Sequence, residues 1–327
     1  MIERLPKSPI AVSTEFDSGS SMEAARRSKP RVLLLVDRPN WAYDTVAKAI
    51  RKRLQDEFEI EIAYVWENPD LNVWPFDLVY VFFWGETYHQ SFVRDPRRVI
   101  KGISSHRWAN EDQYGRLSAA EAAERYLADA ATLTATSRRL QRIFSEVRPV
   151  LHTPNGFDPD HFHANPRPAG KVRIGWAGNE MDPCKGVADI LRPAAGRDFD
   201  LHIAGGSLDQ RQMLEFYNSI DVLCVASTAE GEPLTLVEGL ACGCFPVVVD
   251  VGIVPELVRH NVNGLVVERS VAAFRGAFQW CAVNVERVRR TGLDNAREML
   301  ASRTWDTAAE LRRAALRQAL YPTAARI

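Results

Sequence analysis

Short apolar runs alternate along this chain with stretches of helical periodicity. "RVLLLVD" (31–37) is continuously apolar, as expected for a strand covered on both faces. Behind it Ala42, Val46, Ala49, Ile50 and Leu54 recur at helical spacing, leaving Lys48, Arg51 and Lys52 for solvent. The same reasoning predicts strands at 58–66, 76–84, 97–104, 131–136 and 148–153, and helices at 118–130 and 137–147. Strand, helix, strand in repetition predicts an α/β fold with a parallel sheet wrapped by helices.

The pattern breaks at "HTPNGFDPDHFHANPRPAG" (152–170), where Pro, Gly, Asn and Asp collect and a domain boundary is expected. It then restarts with strands at 171–178 and 199–206 and a helix at 209–220 that turns Met213, Phe216, Tyr217 and Ile220 inward. Strands at 221–227 and 244–250 flank a helix starting near Pro233, and further helices are predicted at 270–283 and 302–320. The expected organisation is a flexible tail over 1–29, Rossmann-like domains over 30–153 and 154–303, and a last helix within 304–327 packing back toward the N-terminal domain. Open parallel sheets bind at the carboxyl ends of their strands, so two such halves place a ligand in the cleft between them.

A length of 327 residues suits two domains, each with its own core. Hydrophobic residues make up 46% and charged residues 25%, the balance of a soluble globular protein. Lys+Arg 41 against Asp+Glu 42 leaves a net charge of −1, so nucleic-acid binding is not expected without a local basic patch. No apolar run approaches the roughly 18 residues of a membrane span, and the opening segment holds no apolar signal core. Cys184, Cys224, Cys242, Cys244 and Cys281 show no paired spacing and read as reduced thiols filling the core, which points to a cytoplasmic protein.

The candidate chemistry sits in "STAEGEPLTLVEGLACGCFPVV" (227–248), where Glu230 and Glu238 flank a proline that could open a helix. Pro233 has the fixed φ and missing N–H that suit a first helical position. The N–H groups of Leu234 and Thr235 would then face the cleft at the positive end of the helix dipole, where a phosphate is favoured. Glu230 in the loop and Glu238 in the helix can both offer acceptors to hydroxyl groups. A ligand carrying phosphate and hydroxyls together, such as a sugar nucleotide, fits this pairing. The plainer alternative makes Glu230 and Glu232 ordinary first-turn acids and Glu238 a surface residue.

"EGEPLTLVEGLACGCFPVV" resembles the E-x7-E motif of the retaining GT-B glycosyltransferases, glycosyltransferase family 4 in particular, with Glu230 first and Glu238 second. The likeness continues through 154–162, 175–186, 213–227, 250–267 and 302–310, while over 31–150 it rests on topology and one histidine. It implies a GT-B fold, two Rossmann-like domains facing across a cleft. It also implies transfer of a sugar from a nucleotide-diphosphate sugar to an acceptor hydroxyl with retention, with no metal and no resident cofactor. On the family's pattern Glu230 contacts the transferred sugar and Glu238 the ribose hydroxyls. Lys185 and Gly186 match the family's Lys-Gly pair, so Lys185 should neutralise the leaving diphosphate. Asn179 stands where the family usually has arginine, and Gly231, Pro233, Leu234 and Thr235 complete the donor side. His106, closing "VIKGISSHRW", resembles the family histidine that approaches the anomeric carbon or the sugar hydroxyls. Arg107 beside it is a candidate for acceptor or phosphate.

Two departures from the family stand out. The loop after the first strand, "DRPNWAYD" (37–44), has no glycine, so Trp41 and Ala42 are expected to present their N–H groups at the next helix start. The stretch between Lys185 and Met213 is short, so a strand and a helix common in the family are expected to be missing, which leaves the nucleotide base open. Asp158-Pro159-Asp160 lies in the hinge, and His161 and His163 lack partners at ligand spacing, so no metal site is expected. The helix over 137–148 carries Arg138, Arg139, Arg142 and Arg148 behind an apolar side. Lipid-glycosylating members touch the inner membrane face with such surfaces, but packing on the sheet with a charged back is the expectation favoured here. The acceptor stays open among sugar, lipid-linked and small-molecule hydroxyls, as does the oligomeric state. The alternatives are a GT-B epimerase or phosphorylase, a non-catalytic nucleotide-sugar-binding protein and, as a minor one, a transferase acting on modified DNA bases.

Overall fold

The computed structural model describes residues 29–71, 75–167, 169–206 and 208–322. The tail expected over 1–29 lies outside the described residues except for its last position, as do the final residues of the 304–327 segment.

The N-terminal domain is built on six parallel strands: β1 (Arg31–Val36), β2 (Glu59–Tyr64), β3 (Leu78–Val81), β4 (Val99–Ile103), β5 (Thr132–Ala135) and β6 (Val150–His152). Their spatial order is β2-β1-β3-β4-β5-β6. All six residues of β1 are buried because the strand is covered on both faces. Val32, Leu34 and Val36 join one core, and Leu33 and Leu35 join the core on the opposite side. The helix after β1, α1 (Ala42–Leu54), buries Val46, Ala47, Ile50 and Leu54 against the first of these. On the other face α2 (Arg138–Ser145) buries Leu140 and Phe144. The segment 118–130 begins with a Ser118–Glu121 capping box and continues as a wider helical turn over Ala123–Leu127.

The C-terminal domain has five parallel strands, β7 (Ile174–Gly178), β8 (Leu201–Gly205), β9 (Val222–Val225), β10 (Phe245–Val248) and β11 (Leu265–Val266), in the order β11-β10-β9-β7-β8. Between Lys185 and β8 the chain forms two short helical segments, Val187–Leu191 and Arg192–Ala195, and β8 is one edge of the sheet, with β11 the other. The longer helices are α3 (Gln210–Ser219), α4 (Leu234–Ala241), α5 (Val271–Val283), α6 (Val285–Ser302) and α7 (Trp305–Leu320). Tyr217 and Ile220 are buried as the periodicity predicts, while Met213 and Phe216 are half-buried. All five cysteines are free and buried.

The chain crosses between domains twice, and the crossings are tied together. Phe157 N–H donates to Arg303 O at 3.1 Å and Trp305 N–H returns to Phe157 O at 2.9 Å. After the second crossing α7 lies on the N-terminal domain, where Trp305, Ala308, Ala309 and Leu316 enter the core that α1 lines. Arg313 meets Asp56 and Glu57, Arg317 meets Glu57, and Arg53 meets Asp306 along the same contact. Arg312, buried within α7, donates to Pro154 O and to Asn155 Oδ1, fixing the helix to the first crossing.

Candidate active site

The carboxyl ends of the two sheets face each other across a cleft of about 1520 Å³, lined from the N-terminal side by residues such as Trp41, Ser104 and Arg107 and from the C-terminal side by Lys185, Glu230 and Glu238. Parallel strands expose the loops that follow them at this end, so chemistry-bearing residues far apart in sequence meet here.

The loop after β9 sets Glu230 in place. Its Oε1 accepts from Lys185 Nζ at 2.6 Å and from Ser227 Oγ at 2.7 Å. Lys185 comes from the tight turn after β7, where Asp182 Oδ1 accepts from the Cys184 N–H at 3.0 Å and Gly186 takes φ +73. Only glycine fits that step, since a Cβ at Gly186 would lie 2.5 Å from Ala226 O. Burial alone would lower the Lys185 pKa, but the Glu230 carboxylate outweighs it and holds the ammonium above its ordinary range, with the Arg107 charge opposing.

Pro233 is the N-cap of α4, with ψ 119, and Leu234 is the first helical residue, a correction to the expectation that the proline opens the helix. The proline's extended ψ keeps it outside, and its carbonyl accepts the first intrahelical bond from Leu236 N–H at 3.0 Å. The amides of Leu234 and Thr235 precede that bond, and both residues line the cleft. Glu238, further along α4, is buried and accepts from Tyr217 OH at 2.9 Å. Burial pushes its carboxyl up to about 7, against the lowering effect of the tyrosine hydroxyl.

Glu232 faces the hinge. It accepts from the Asn155 N–H and lies 3.3 Å from Arg303, and burial pushes its carboxyl up to about 8 while Arg303 pulls it down. Nothing in the sequence pattern separated this acid from its neighbours in the loop.

The N-terminal domain closes the site from above. Ser104, Ser105 and Arg107 line the cleft after β4, whereas His106 between them turns its Nδ1 to the main-chain oxygen of Glu230 at 3.1 Å. The ring that was expected to approach the sugar therefore meets the backbone of the loop that carries Glu230. Arg107 donates to Asp182 and lies 3.3 Å from Glu111, and Asn110 Nδ2 donates to Thr228 O at 3.0 Å. Gly231 passes so close that a Cβ there would sit 2.1 Å from Ser104 O. Asn179 lines the cleft with its Oδ1 accepting from Met181 N–H at 3.2 Å, so it shapes its own turn.

The glycine-free loop solves its turn with Asn40 at φ +61, a left-handed conformation that asparagine tolerates better than most residues. Trp41 caps α1 and Ala42 begins it, and both line the cleft. Asp44 in the first turn accepts from Asn40 N–H at 2.7 Å, Lys48 at 2.8 Å and Tyr64 OH at 2.9 Å. A buried carboxylate at this helix start opposes an anion there, whereas the first turn of α4 holds no acid. Arg38 stacks between Trp41 and Trp66, its guanidinium carbon 3.0 and 4.4 Å from the ring centroids. No group of three or more His, Cys, Asp or Glu among the described residues is placed to hold a metal ion, and no described helix is long and apolar enough to cross a membrane.

Two Rossmann-like domains with parallel sheets facing across such a cleft define the GT-B glycosyltransferase fold. Residues 200–290 match the family model described as glycosyl transferases group 1. No curated protein matches the sequence. The chain is similar in structure to sucrose-phosphate synthase from Thermosynechococcus elongatus, with TM-score 0.71 and 14% identity over 90% of this chain and 100% of that one. It is similar also to HepE from Anabaena in a crystal structure with UDP, with TM-score 0.60 and 14% identity over 88% of this chain and 99% of that one. A second HepE structure, with UDP-glucose, gives TM-score 0.62 and 14% identity over 87% and 99%.

Proposed function

We propose that this chain transfers a sugar from a nucleotide-diphosphate sugar to an acceptor hydroxyl with retention at the anomeric carbon, in the manner of glycosyltransferase family 4. The observation that carries the reading is the joining of Glu230, Lys185 and the α4 N-terminus at one wall of the cleft. A diphosphate seated on the Leu234 and Thr235 amides would meet Lys185. Glu238 further along α4 would accept from the ribose hydroxyls, and Glu230 from a hydroxyl of the transferred sugar. HepE's crystallisation with UDP and UDP-glucose supports a nucleotide-sugar donor and makes uridine the first base to try.

In the reaction the anomeric C–O bond to the diphosphate breaks with its electron pair going to the phosphate oxygen. The acceptor oxygen bonds to the anomeric carbon from the same face, and its proton passes to the departing oxygen. Lys185 and the helix amides stabilise the charge that builds on that oxygen, and the closed cleft keeps water from competing with the acceptor. The diphosphate charge is met by protein donors, so the reaction is proposed to need no metal. The test is a thermal-shift screen with UDP-, GDP- and ADP-glucose. One nucleotide should raise the melting temperature and Glu238→Ala should abolish the shift. A chain that none of the donors stabilises would not be a transferase of this kind.

A further inference from the structure

We propose that Arg107 is a second cation for the leaving diphosphate, carried on the N-terminal domain and brought to the donor site only when the two domains close. The proposal rests on the donor-site reading given above.

Arg107 lines the cleft from a short helical turn, Arg107–Asn110, that follows β4. Three side chains fasten this turn to the other domain. His106 Nδ1 lies 3.1 Å from the Glu230 carbonyl oxygen, Arg107 Nη2 donates to Asp182 Oδ2, and Asn110 Nδ2 donates to Thr228 O at 3.0 Å. The guanidinium is thereby held against the two segments that supply Lys185 and Glu230. Its charge is near enough to disfavour the Lys185 ammonium, so two cations converge on one part of the cleft from opposite domains.

Like charges brought together in a half-buried site repel unless anions lie between them. Here each is held by carboxylates, Lys185 by Glu230 at 2.6 Å and Arg107 by Asp182 and by Glu111 at 3.3 Å. Those contacts occupy the two terminal nitrogens of Arg107 once each, and a guanidinium has five N–H donors in a planar fork suited to phosphate oxygens. The turn 179–185 itself offers one cation, Lys185, since the neutral Asn179 uses its Oδ1 on Met181 N–H. A diphosphate on the α4 N-terminus would meet both cations through the N–H donors their carboxylates leave unused. As the anomeric bond breaks and its electron pair moves to the phosphate oxygen, Arg107 and Lys185 share the charge until the acceptor's proton arrives there. An open cleft holds the donor but lacks the second cation, which ties cleavage to closure.

The test uses the full chain and UDP-, GDP- and ADP-glucose, reading the slow transfer of the sugar to water that releases the nucleoside diphosphate when no other acceptor is added, alongside donor-induced thermal shift. Arg107→Ala should keep its donor affinity within about threefold of wild type while release falls about 100-fold, the scale of losing one donor to a developing oxyanion. Arg107→Lys should fall between, and added guanidinium should restore part of the alanine variant's rate. Asn110→Ala removes a domain tie and no charge, so whatever release it loses through weaker closure should not be restored by added guanidinium. Release by Arg107→Ala at the wild-type rate, no rescue of that variant by guanidinium, or equal rescue of Asn110→Ala would each overturn the role. A wild-type chain that neither binds nor cleaves any of the three donors removes the donor-site reading itself, and the proposal with it.

Discussion

Lys185 Nζ stands 2.6 Å from Glu230 Oε1, and the pair joins the turn after β7 to the loop after β9. Ser227 Oγ adds a second donor to the same oxygen at 2.7 Å. The carboxylate is thus held by two donors of the protein itself, with the cation lining the same cleft as the α4 N-terminus. Pre-placement of this kind costs no rearrangement at the moment charge develops, which is where electrostatic catalysis gains most.

Lys185→Ala should lower the turnover of the nucleotide-sugar donor by about 10²–10³, as for loss of one principal oxyanion donor. Ser227→Ala should cost far less, because Glu230 keeps its stronger, charge-assisted partner. Steady-state kinetics on the two variants would check both, and a lysine variant turning over at the wild-type rate would remove it from the mechanism.

Donor affinity should depend on pH through Glu238. Its carboxyl sits at about 7 because burial disfavours the charged form. Ribose hydroxyls bind best to the carboxylate, so below pH 7 the proton must first leave, and affinity should fall by up to about tenfold per pH unit. Calorimetric titration of the donor between pH 5.5 and 8.5 should show this slope in the wild type and a flat profile in Glu238→Gln. A flat wild-type profile would mean that Glu238 does not titrate on binding.

Glu232 gives the hinge a stability dependence of its own. Its folded pKa of about 8 stands above the unfolded 4.5, so between these values the folded chain binds more protons than the unfolded chain. Stability from this group is full below pH 4.5 and is lost as pH rises toward 8, by up to about 1.4 kcal/mol per unit. Glu238 adds the same sign up to pH 7. His152 opposes them below about pH 6.5, since burial lowers its folded pKa to about 4, so melting temperatures of the protein alone should fall most clearly from pH 6.5 to 8, and Glu232→Gln should reduce that slope. An unchanged slope in that variant would show that Arg303 keeps Glu232 ionised.

Chelation should leave the activity intact. With the diphosphate charge met by Lys185 and the helix amides as proposed, EDTA is expected to change the rate by less than about twofold, whereas a transferase that seats its donor through a divalent ion would lose nearly all of it. Activity assayed after exhaustive chelation, then with Mg²⁺ or Mn²⁺ returned, separates the two.

Strands such as β1 and β3 were legible because they are buried on both faces and carry unbroken apolar runs. The helix α6 was not, although it is 18 residues long. Its buried stripe is Val288, Gly292, Asn295 and Met299, in which glycine and asparagine conceal the helical period. The two-residue strand β11 is too short to show a pattern at all. In the cleft, the spacing of Glu230 and Glu238 was visible in sequence, but Ser227, Tyr217 and Glu232 are partners that only folding assembles. The turn of His106 toward the Glu230 carbonyl is of the same kind, since it depends on how the two domains meet.

That meeting can be tested at Gly231. A methyl group there would lie 2.1 Å from Ser104 O and 2.6 Å from Thr136 Oγ1, both on the N-terminal domain. Backbone oxygen cannot retreat as a long side chain can, so the domains must part. Each has its own core, and α7 still clamps the hinge, so the melting temperature of Gly231→Ala should move little. The donor should still bind, because Glu238 and the α4 amides belong to one domain. Turnover, which needs both walls together, should fall at least about 100-fold, the scale of a small misplacement of reacting groups. Donor titration beside steady-state kinetics would show this split, and a Gly231→Ala chain with wild-type turnover would mean that catalysis does not require the closed contact seen here.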